Sequence, residues 1–241
     1  MSLFWMVLIT VVILQMSVFF TTIYLHRYLT HRGLELNRFV ALFMHLELVL
    51  FTGIVPREWV AVHRKHHHFS DKEGDPHSPH LLGMWTVLFS NFWLYKVEKG
   101  NKATIAKYTP DYKNDLLDRL PFQHFMSLGG LGIFMLSFGW KWGLGAWAFH
   151  GVFYILLNSM INSLCHVVGY RTYDNTATNL QWVAILTGGE GLHNNHHEYP
   201  SSARFALRRR EIDPAWLVIR LLNAVGLARV KPVPVGEAEA A

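Results

Sequence analysis

The histidines of this chain are concentrated in three short clusters, which read HRYLTH at 26–31, HRKHH at 63–67 and HNNHH at 193–197. They hold eight of the fifteen histidines. Neutral imidazole is the commonest side-chain metal ligand, and it suits iron, copper, zinc and nickel. Eight imidazoles are too many for one metal and about right for two. Because each cluster flanks an apolar run, the pattern predicts a two-metal centre at a membrane surface, suited to oxygen chemistry on a lipid-like substrate.

The spacing within the clusters favours two neighbouring metals. On a helix His63 and His67 share one face, whereas His66 is rotated by about 100°. The third cluster repeats this spacing. A single run such as residues 66–68 could equally be a solvated patch, but two such clusters beside an HxxxxH favour ligands. A ninth candidate, His166, lies four residues after Asn162, and this pair is either a packed polar contact or part of the site.

Composition indicates a small membrane protein of one domain. Hydrophobic residues make up 51% of the 241 residues, charged residues 16%, and the mean hydropathy is +0.17. With a net charge of +5, the excess Lys and Arg is typical of a cytoplasmic membrane surface, and no nucleic-acid motif is present. We expect one domain over residues 1–231 and a disordered tail over 232–241. The single cysteine, Cys165, is expected to serve packing.

The apolar runs predict three crossings. Residues 3–25 form a retained span, and residues 122–140 and 144–165 form a hairpin through the bilayer with its turn at 141–143. Residues 39–55 lie in the interface or enter the membrane and return, while 214–230 form an amphipathic helix on the surface. If the clusters share one centre, they lie on one side of the membrane. The basic residues, Arg27 and Arg64 among them, make that side the cytoplasm and place the N-terminus opposite.

Four segments of the sequence resemble those of a known family. The segments HRYLTH, WVAVHRKHHHFSDKEGDPHSP, NSLCHVVGYRTYD and GGEGLHNNHHEYP, within about residues 20–205, resemble the membrane-bound fatty acid desaturases of the stearoyl-CoA (Δ9) type. The resemblance implies an all-α integral membrane protein with about three transmembrane helices, interfacial helices and a cytosolic histidine-box cap. It also implies a di-iron (Fe²⁺) centre with Asn162 holding a bound water. One iron would take His26, His31, His63, His67 and His196, and the other His66, His166, His193 and His197.

The implied reaction removes two hydrogens from adjacent methylenes of a saturated acyl chain, with O2 as co-substrate and no bound organic cofactor. The product is a cis double bond, at Δ9 by resemblance. The acyl carrier could be CoA, a carrier protein or a phospholipid. No cytochrome b5 domain is fused to the chain, so we expect a separate electron donor of the ferredoxin or cytochrome b5 type with its reductase.

The chain departs from the family pattern at its start. The family usually has a further membrane helix before the span that leads into the first histidine box. That helix is missing here, which indicates either a minimal bacterial form or a truncated start. The expected location is the bacterial inner membrane.

Carboxylates and basic residues near the boxes have expected roles of their own. Asp75 and Glu190 are favoured for orienting imidazoles, with Asp71 and Glu198 as further candidates that solvation would explain equally well. The phosphates of a CoA headgroup could bind to Arg64, Lys65, Lys72 and Arg171. Anionic phospholipid is an equally good partner for these residues. His77 is expected not to be a ligand. Structural or solvated roles are expected for His45, His68, His80, His124 and His150, and Trp59, Trp85 and Trp93 are either walls of the acyl slot or interface anchors.

Two other functions fit parts of the pattern. A lipid hydroxylase would use the same metal centre and insert one oxygen. A metal transporter should carry ionisable residues in the middle of several spans, whereas the candidate ligands here gather at span ends.

Overall fold

Helices dominate the computed structural model, which describes residues 1–120 and 122–232. The α-helices are α1 (Leu3–Phe20), α2 (Arg38–Phe51), α3 (Pro56–Phe69), α4 (Pro79–Leu82), α5 (Met84–Lys99), α6 (Lys102–Tyr108), α7 (Ser127–Phe138), α8 (Trp140–Val167), α9 (Gln181–Leu186), α10 (His193–Glu198) and α11 (Pro214–Ala224). A π-helix (Thr21–Thr30) continues α1, and two single 3-10 turns lie at Leu117–Arg119 and Gln123–Phe125. Residues 233–241, most of the expected tail, lie outside the described residues.

Two short strands were not predicted. Strand β1 (Leu34–Leu36) pairs antiparallel with β2 (Ala228–Val230), and Leu34 lies opposite Val230. The segment expected to be an amphipathic helix over 214–230 therefore ends its helix at Ala224 and continues as a strand. This pair brings the end of the described chain beside the first histidine box.

Among the residues that the structure describes, two helices are long and apolar enough to cross a membrane. The first is the continuous helix Leu3–Thr30, made of α1 and the π-helix, and the second is α8, each with 28 residues. At 1.5 Å per residue an α-helix of this length spans about 42 Å, more than the roughly 30 Å of a hydrocarbon core. Helices α2 and α3 are bent by 90° where they meet, and they make a third candidate if the pair counts as one span.

The predicted hairpin of two crossings is wrong in its first arm. Helix α7 has only 12 residues, which reach about 18 Å. The turn falls at Gly139, whose φ of +78° favours glycine, and not at 141–143. Gly143 instead lies inside the packed pair, where a Cβ would meet the Met135 backbone at 2.4 Å. Helix α7 thus packs against α8 without spanning a bilayer on its own.

Buried polar contacts tie the candidate spans together. Ser17 on α1 donates to Glu47 Oε1 on α2 at 2.6 Å, and the same hydroxyl lies 3.0 Å from Nε2 of His150 on α8. Nearby, the hydroxyls of Thr21 and Tyr154 are hydrogen-bonded at 2.5 Å. An unmade hydrogen bond is costly in an apolar environment, so these contacts fix how α1, α2 and α8 lie relative to one another.

A buried ion pair anchors the π-helix to the C-terminal region. Arg27 was counted among the surface cations, but it is buried and donates to both carboxylate oxygens of Asp213, at 2.9 and 3.1 Å. Its guanidinium carbon lies 3.8 Å from the centre of the Phe205 ring. Around it, Ile23 and Leu25 pack with Ile219 of α11 in the largest apolar cluster. The π-helix is therefore held rigidly where it carries the first histidines.

Candidate metal centre

The π-helix explains the spacing of the first box. In an α-helix residues five apart point about 140° away from each other, which would separate His26 from His31. Here the His31 N–H donates to the His26 carbonyl oxygen at 3.0 Å, the i to i+5 pattern of a π turn. The two imidazoles consequently stand on the same side of the helix, with ring centroids 4.8 Å apart.

The second and third boxes lie on α3 and α10, as their helical spacing predicts. The rings of His63 and His67 stand 4.7 Å apart on one face of α3. His66 faces elsewhere, with its ring 5.1 Å from that of His166 at the end of α8. Four separate elements of the chain thus converge on one place.

Nine histidines form two adjacent groups. Within each group one ligand atom per residue lies within 4.8 Å of every other. The first group is His26, His31, His63, His67 and His196, and the second is His66, His166, His193 and His197. This division coincides with the one that the resemblance implies.

Three carboxylates set the tautomers of three imidazoles. His26 Nδ1 is 2.7 Å from Glu190, His66 Nδ1 is 3.0 Å from Asp75, and His166 Nδ1 is 2.7 Å from Asp71. An ionised carboxylate only accepts, so each Nδ1 carries the hydrogen and each Nε2 offers a lone pair. Metal-binding histidines almost always have such a partner on the second nitrogen.

The Nε2 atoms crowd together in a way that fits cations. Nε2 of His196 lies 2.9 Å from Nε2 of His26 and 2.9 Å from Nε2 of His67. Among the described residues, the buried Nε2 atoms of His66 and His166 have no partner. A lone pair facing a lone pair is unfavourable, and a metal ion between the nitrogens would satisfy all of them. The nine-nitrogen donor set therefore fits two metal ions.

Burial keeps the ligand atoms neutral. Burial, and then the neighbouring imidazoles, lowers the pKa of His31, His193, His196 and His197 well below its usual value. Neutral imidazole is the form that binds metals. These four imidazoles can therefore bind a cation without first having to lose a proton.

The alternative that Asp71 is solvated is wrong. Its side chain is 2% exposed and also accepts from Ser78 at 2.8 Å. Although burial opposes its ionisation, the hydrogen bond from His166 holds the pKa of Asp71 at about 2. Its φ of +59° is unusual for a residue other than glycine, and such backbone often marks a functional site. Glu198, by contrast, is exposed.

Asn162 lies beside the groups but in neither of them. Its side-chain amide donates to Asn91 Oδ1 at 3.1 Å, and both residues line the cavity described below. Asn91 is buried on α5, and sequence reasoning missed it because a lone asparagine in an apolar helix has no spacing signature.

The remaining histidines differ in environment. His77 is buried with both ring nitrogens unpaired among the described residues, and it stacks on His66 at 4.5 Å. His45 is buried against Asp115, at 2.7 Å. His68 and His124 are exposed.

The basic residues proposed for a headgroup fall into two classes. Arg64 pairs with Asp111 at 2.6 Å, and Lys65 pairs with Glu98 at 2.9 Å. Lys72 and Arg171 are exposed.

A cavity of about 270 Å³ opens against both histidine groups. His26 and His63 of the first group and His193 of the second contribute to its wall. Its remaining surface is mostly apolar and comes from α1, α3, α5, α8 and loops between helices. The apolar lining residues include Val18, Ile54, Trp59, Val62, Phe92, Ile155, Leu157 and Ile161. Of the three tryptophans considered, Trp59 lines the cavity, whereas Trp85 and Trp93 are exposed.

Comparison with known proteins gives consistent matches over most of the chain. A family model described as fatty acid desaturase matches residues 3–216. A Delta-9 acyl-lipid desaturase of Arabidopsis thaliana is 36% identical over 88% of this chain and 70% of its own length. An sn-1 stearoyl-lipid 9-desaturase of Anabaena variabilis is 34% identical over 86% and 76%. An acyl-CoA 5-desaturase of Anemone leveillei is 35% identical over 90% and 68%.

Proposed function

The chain belongs to the fatty acid desaturase family and is a fatty acyl desaturase, and we propose that it forms a cis double bond at the Δ9 position of a saturated chain. One observation carries the proposal that this cavity is where the acyl chain is desaturated: histidines of both groups line it. A methylene chain lying in it would present one carbon–carbon bond to two metals at once. The Δ9 position rests on the names of relatives, one of which acts at position 5 instead.

We propose iron as the metal, with the nine histidines as ligands and Asn162 acting through a water. Two bound iron ions would supply the activation of O2 and the removal of two hydrogens. The chain's own carboxylates, Glu190, Asp75 and Asp71, hold the imidazoles in the tautomer that the metals require.

The cavity walls orient the substrate and exclude water. Saturated methylenes offer no acidic proton and no leaving group, so the protein's task is to orient the chain and exclude water. Leu157 and Ile161 on α8 line this space together with Val18 and Ile54, and these side chains cannot hydrogen-bond to a solvent molecule. Tyr154, which also lines the cavity, has its hydroxyl engaged with Thr21.

For the polar end of the substrate we propose Lys96 and Lys99, which line the same cavity on α5. Lys99 is paired with Glu58 at 3.0 Å, which leaves Lys96 the freer of the two to meet an anionic group. Lys72 and Arg171 are further candidates, whereas Arg64 and Lys65 already have carboxylate partners. The carrier is CoA, a carrier protein or a phospholipid, and relatives are named for acyl-CoA and for acyl-lipid substrates.

We propose that the histidine side faces the cytoplasm of a bacterial inner membrane, with the N-terminus opposite. Two electrons per turnover would come from a separate carrier of the ferredoxin or cytochrome b5 type with its reductase.

The proposal is tested by expressing the chain in a bacterial host and analysing its fatty acids by mass spectrometry, with double bonds located chemically. The expected product has lost one hydrogen from carbon 9 and one from carbon 10. A gain of one oxygen would identify a hydroxylase, and a double bond elsewhere would overturn the Δ9 assignment. The His196→Ala variant serves as the inactive control.

A further inference from the structure

We propose that Arg208, Arg209 and Arg210 form a binding site for the phosphate headgroup of an anionic phospholipid, separate from the acyl cavity. The three consecutive arginines are exposed. They line an open surface pocket together with Tyr170, Gln181 and Glu211. Clusters of basic side chains at a membrane surface attract anionic lipid, each contributing on the order of 1 kcal/mol.

The nearest carboxylate in the sequence does not neutralise these arginines. Within residues 1–120 and 122–232, none of the three forms an ion pair with a carboxylate. Glu211 accepts from the Tyr170 hydroxyl at 2.7 Å through Oε1. Its Oε2 accepts from Asn195 and from the backbone N–H groups of Leu207 and Arg208. The three guanidinium groups therefore face solvent without a direct ion pair, and the single carboxylate of Glu211 in the same pocket offsets only part of their charge.

The loop that carries the arginines is held in place. The side chain of Gln181 donates to the Ile212 carbonyl at 3.1 Å and accepts from the Ile212 N–H at 3.1 Å. With the Glu211 contacts, this fastens both sides of the pocket to α9 and α10. Because the backbone of the loop is fixed, only the arginine side chains lose conformational freedom when they bind a phosphate.

Exposed apolar side chains lie near the pocket residues in the sequence, on α9, directly after Glu211 and on α11. Trp182 and Ile185 on α9 are each 48% exposed, and Ile212 is 50% exposed. On α11, Leu217 and Leu221 are also exposed. An amphipathic surface of this kind lies in the headgroup region with its apolar side chains among the acyl chains.

The contacts of the neighbouring segments agree with a position of this pocket at the membrane surface. The segment after α9 approaches the continuous helix Leu3–Thr30, since a Cβ at Gly188 would lie 3.0 Å from Thr22 and 3.9 Å from Phe19. Helix α11 packs Ala215 and Ile219 against the same helix. Asp213, three residues after Arg210, accepts hydrogen bonds from Arg27 in the last turn of the same helix. The loop that carries the arginines therefore approaches the end of a candidate membrane span, and lipid phosphates lie at the ends of such spans. The exposed apolar side chains favour lipid over an acidic protein as the occupant.

The test compares two charge-matched variants of the full chain in nanodiscs of phosphatidylcholine mixed with phosphatidylglycerol. In the first, Arg208→Gln, Arg209→Gln and Arg210→Gln are combined. The control combines Lys102→Gln, Lys107→Gln and Lys113→Gln, which removes three exposed positive charges that are distant from the arginines in the sequence. Lipids retained after detergent extraction are counted by mass spectrometry.

We expect retained phosphatidylglycerol to fall at least about fivefold in the arginine variant and to stay at the original level in the control. Replacing the three arginines by lysine should keep most of it. An unchanged melting temperature in detergent shows that the arginine variant is folded. Equal phosphatidylglycerol retention in the two variants would overturn the proposal.

Two further arms separate other ligands. Inorganic phosphate should not displace the lipid, and displacement would reassign the pocket to free anions. A salt-sensitive complex with a plant-type ferredoxin, lost in the arginine variant while lipid is retained, would overturn the lipid assignment in favour of an acidic protein.

Discussion

Asp71 accepts a hydrogen bond from His166 at 2.7 Å, and this contact joins the loop after α3 to the end of α8. His166 is the one histidine of the nine that lies outside the three boxes. Its ring orientation therefore depends on a carboxylate 95 positions away in the sequence. The second histidine group is assembled by this long-range contact as well as by helix geometry.

Replacing Asp71 by asparagine should weaken the second metal site. The amide cannot hold His166 Nδ1 in the donating form as strongly, and loss of such a partner typically lowers metal affinity by about 10- to 100-fold. Bound metal per protein, measured by elemental analysis after dialysis against a weak chelator, should fall from two toward one. Glu198→Gln is the control, since Glu198 is exposed beside the third box. Full metal content in Asp71→Asn would contradict the assigned role.

Glu190→Gln should weaken the first site in the same assay. Glu190 accepts from His26 at 2.7 Å and also from the Thr22 hydroxyl, so the amide replaces two interactions of a buried carboxylate. Combined with Asp71→Asn, it should lower the metal content toward zero. A double variant that still holds one metal would show that the two carboxylates act on the same ion.

His67→Ala and His196→Ala should each abolish desaturation while the protein remains in the membrane. Both belong to the first group, and His196 lies within 2.9 Å of two other ligand nitrogens. The matched control is His68→Ala, which removes an exposed imidazole from the next position. Product yield from whole-cell lipids measures the effect, and normal yield in either ligand variant would count against the assignment.

Ile161→Trp should block the acyl cavity without affecting the metals. Ile161 lines the cavity one residue before Asn162, and an indole there would fill space that methylenes need. We expect a loss of product of at least about tenfold with two metals still bound. The control, Val152→Trp, places the same bulk on an exposed position of α8. Unchanged yield in Ile161→Trp would show that the substrate lies elsewhere.

Arg27→Ala should destabilise the fold. It would leave Asp213 buried without its partner, and breaking a buried pair costs about 3–5 kcal/mol. Thermal unfolding in detergent should show a clear drop in Tm, whereas Arg38→Ala, at an exposed position, should change it little. Near-equal melting temperatures would mean that the pair stabilises little.

The helical parts of the site could be predicted because ligand spacing and helix geometry coincide. The positions of His63, His66 and His67 follow from 100° per residue, and the same holds for His193, His196 and His197. His166 was a candidate from its spacing to Asn162, and the family resemblance favoured it as a ligand. Its partner Asp71 could not be assigned because a contact across 95 residues leaves no local periodicity.

The membrane topology was less predictable. Apolar runs report hydrophobicity and not helix length, so 122–140 looked like a span although its helix starts at Ser127. The β1–β2 pair joins segments nearly 200 positions apart, and three-residue strands carry too short an alternation to be recognised. Arg27 looked like a surface cation because nothing nearby in the sequence reveals Asp213.

The π-helix has a consequence for how membrane segments are searched for ligands. A helical wheel drawn with α geometry separates His26 from His31 and would dismiss them as unrelated, yet the wider turn places one above the other. Two histidines five residues apart at the end of an apolar helix thus mark a π-helical segment in this chain. Scans that allow this register would find paired ligands that a fixed 3.6-residue period overlooks.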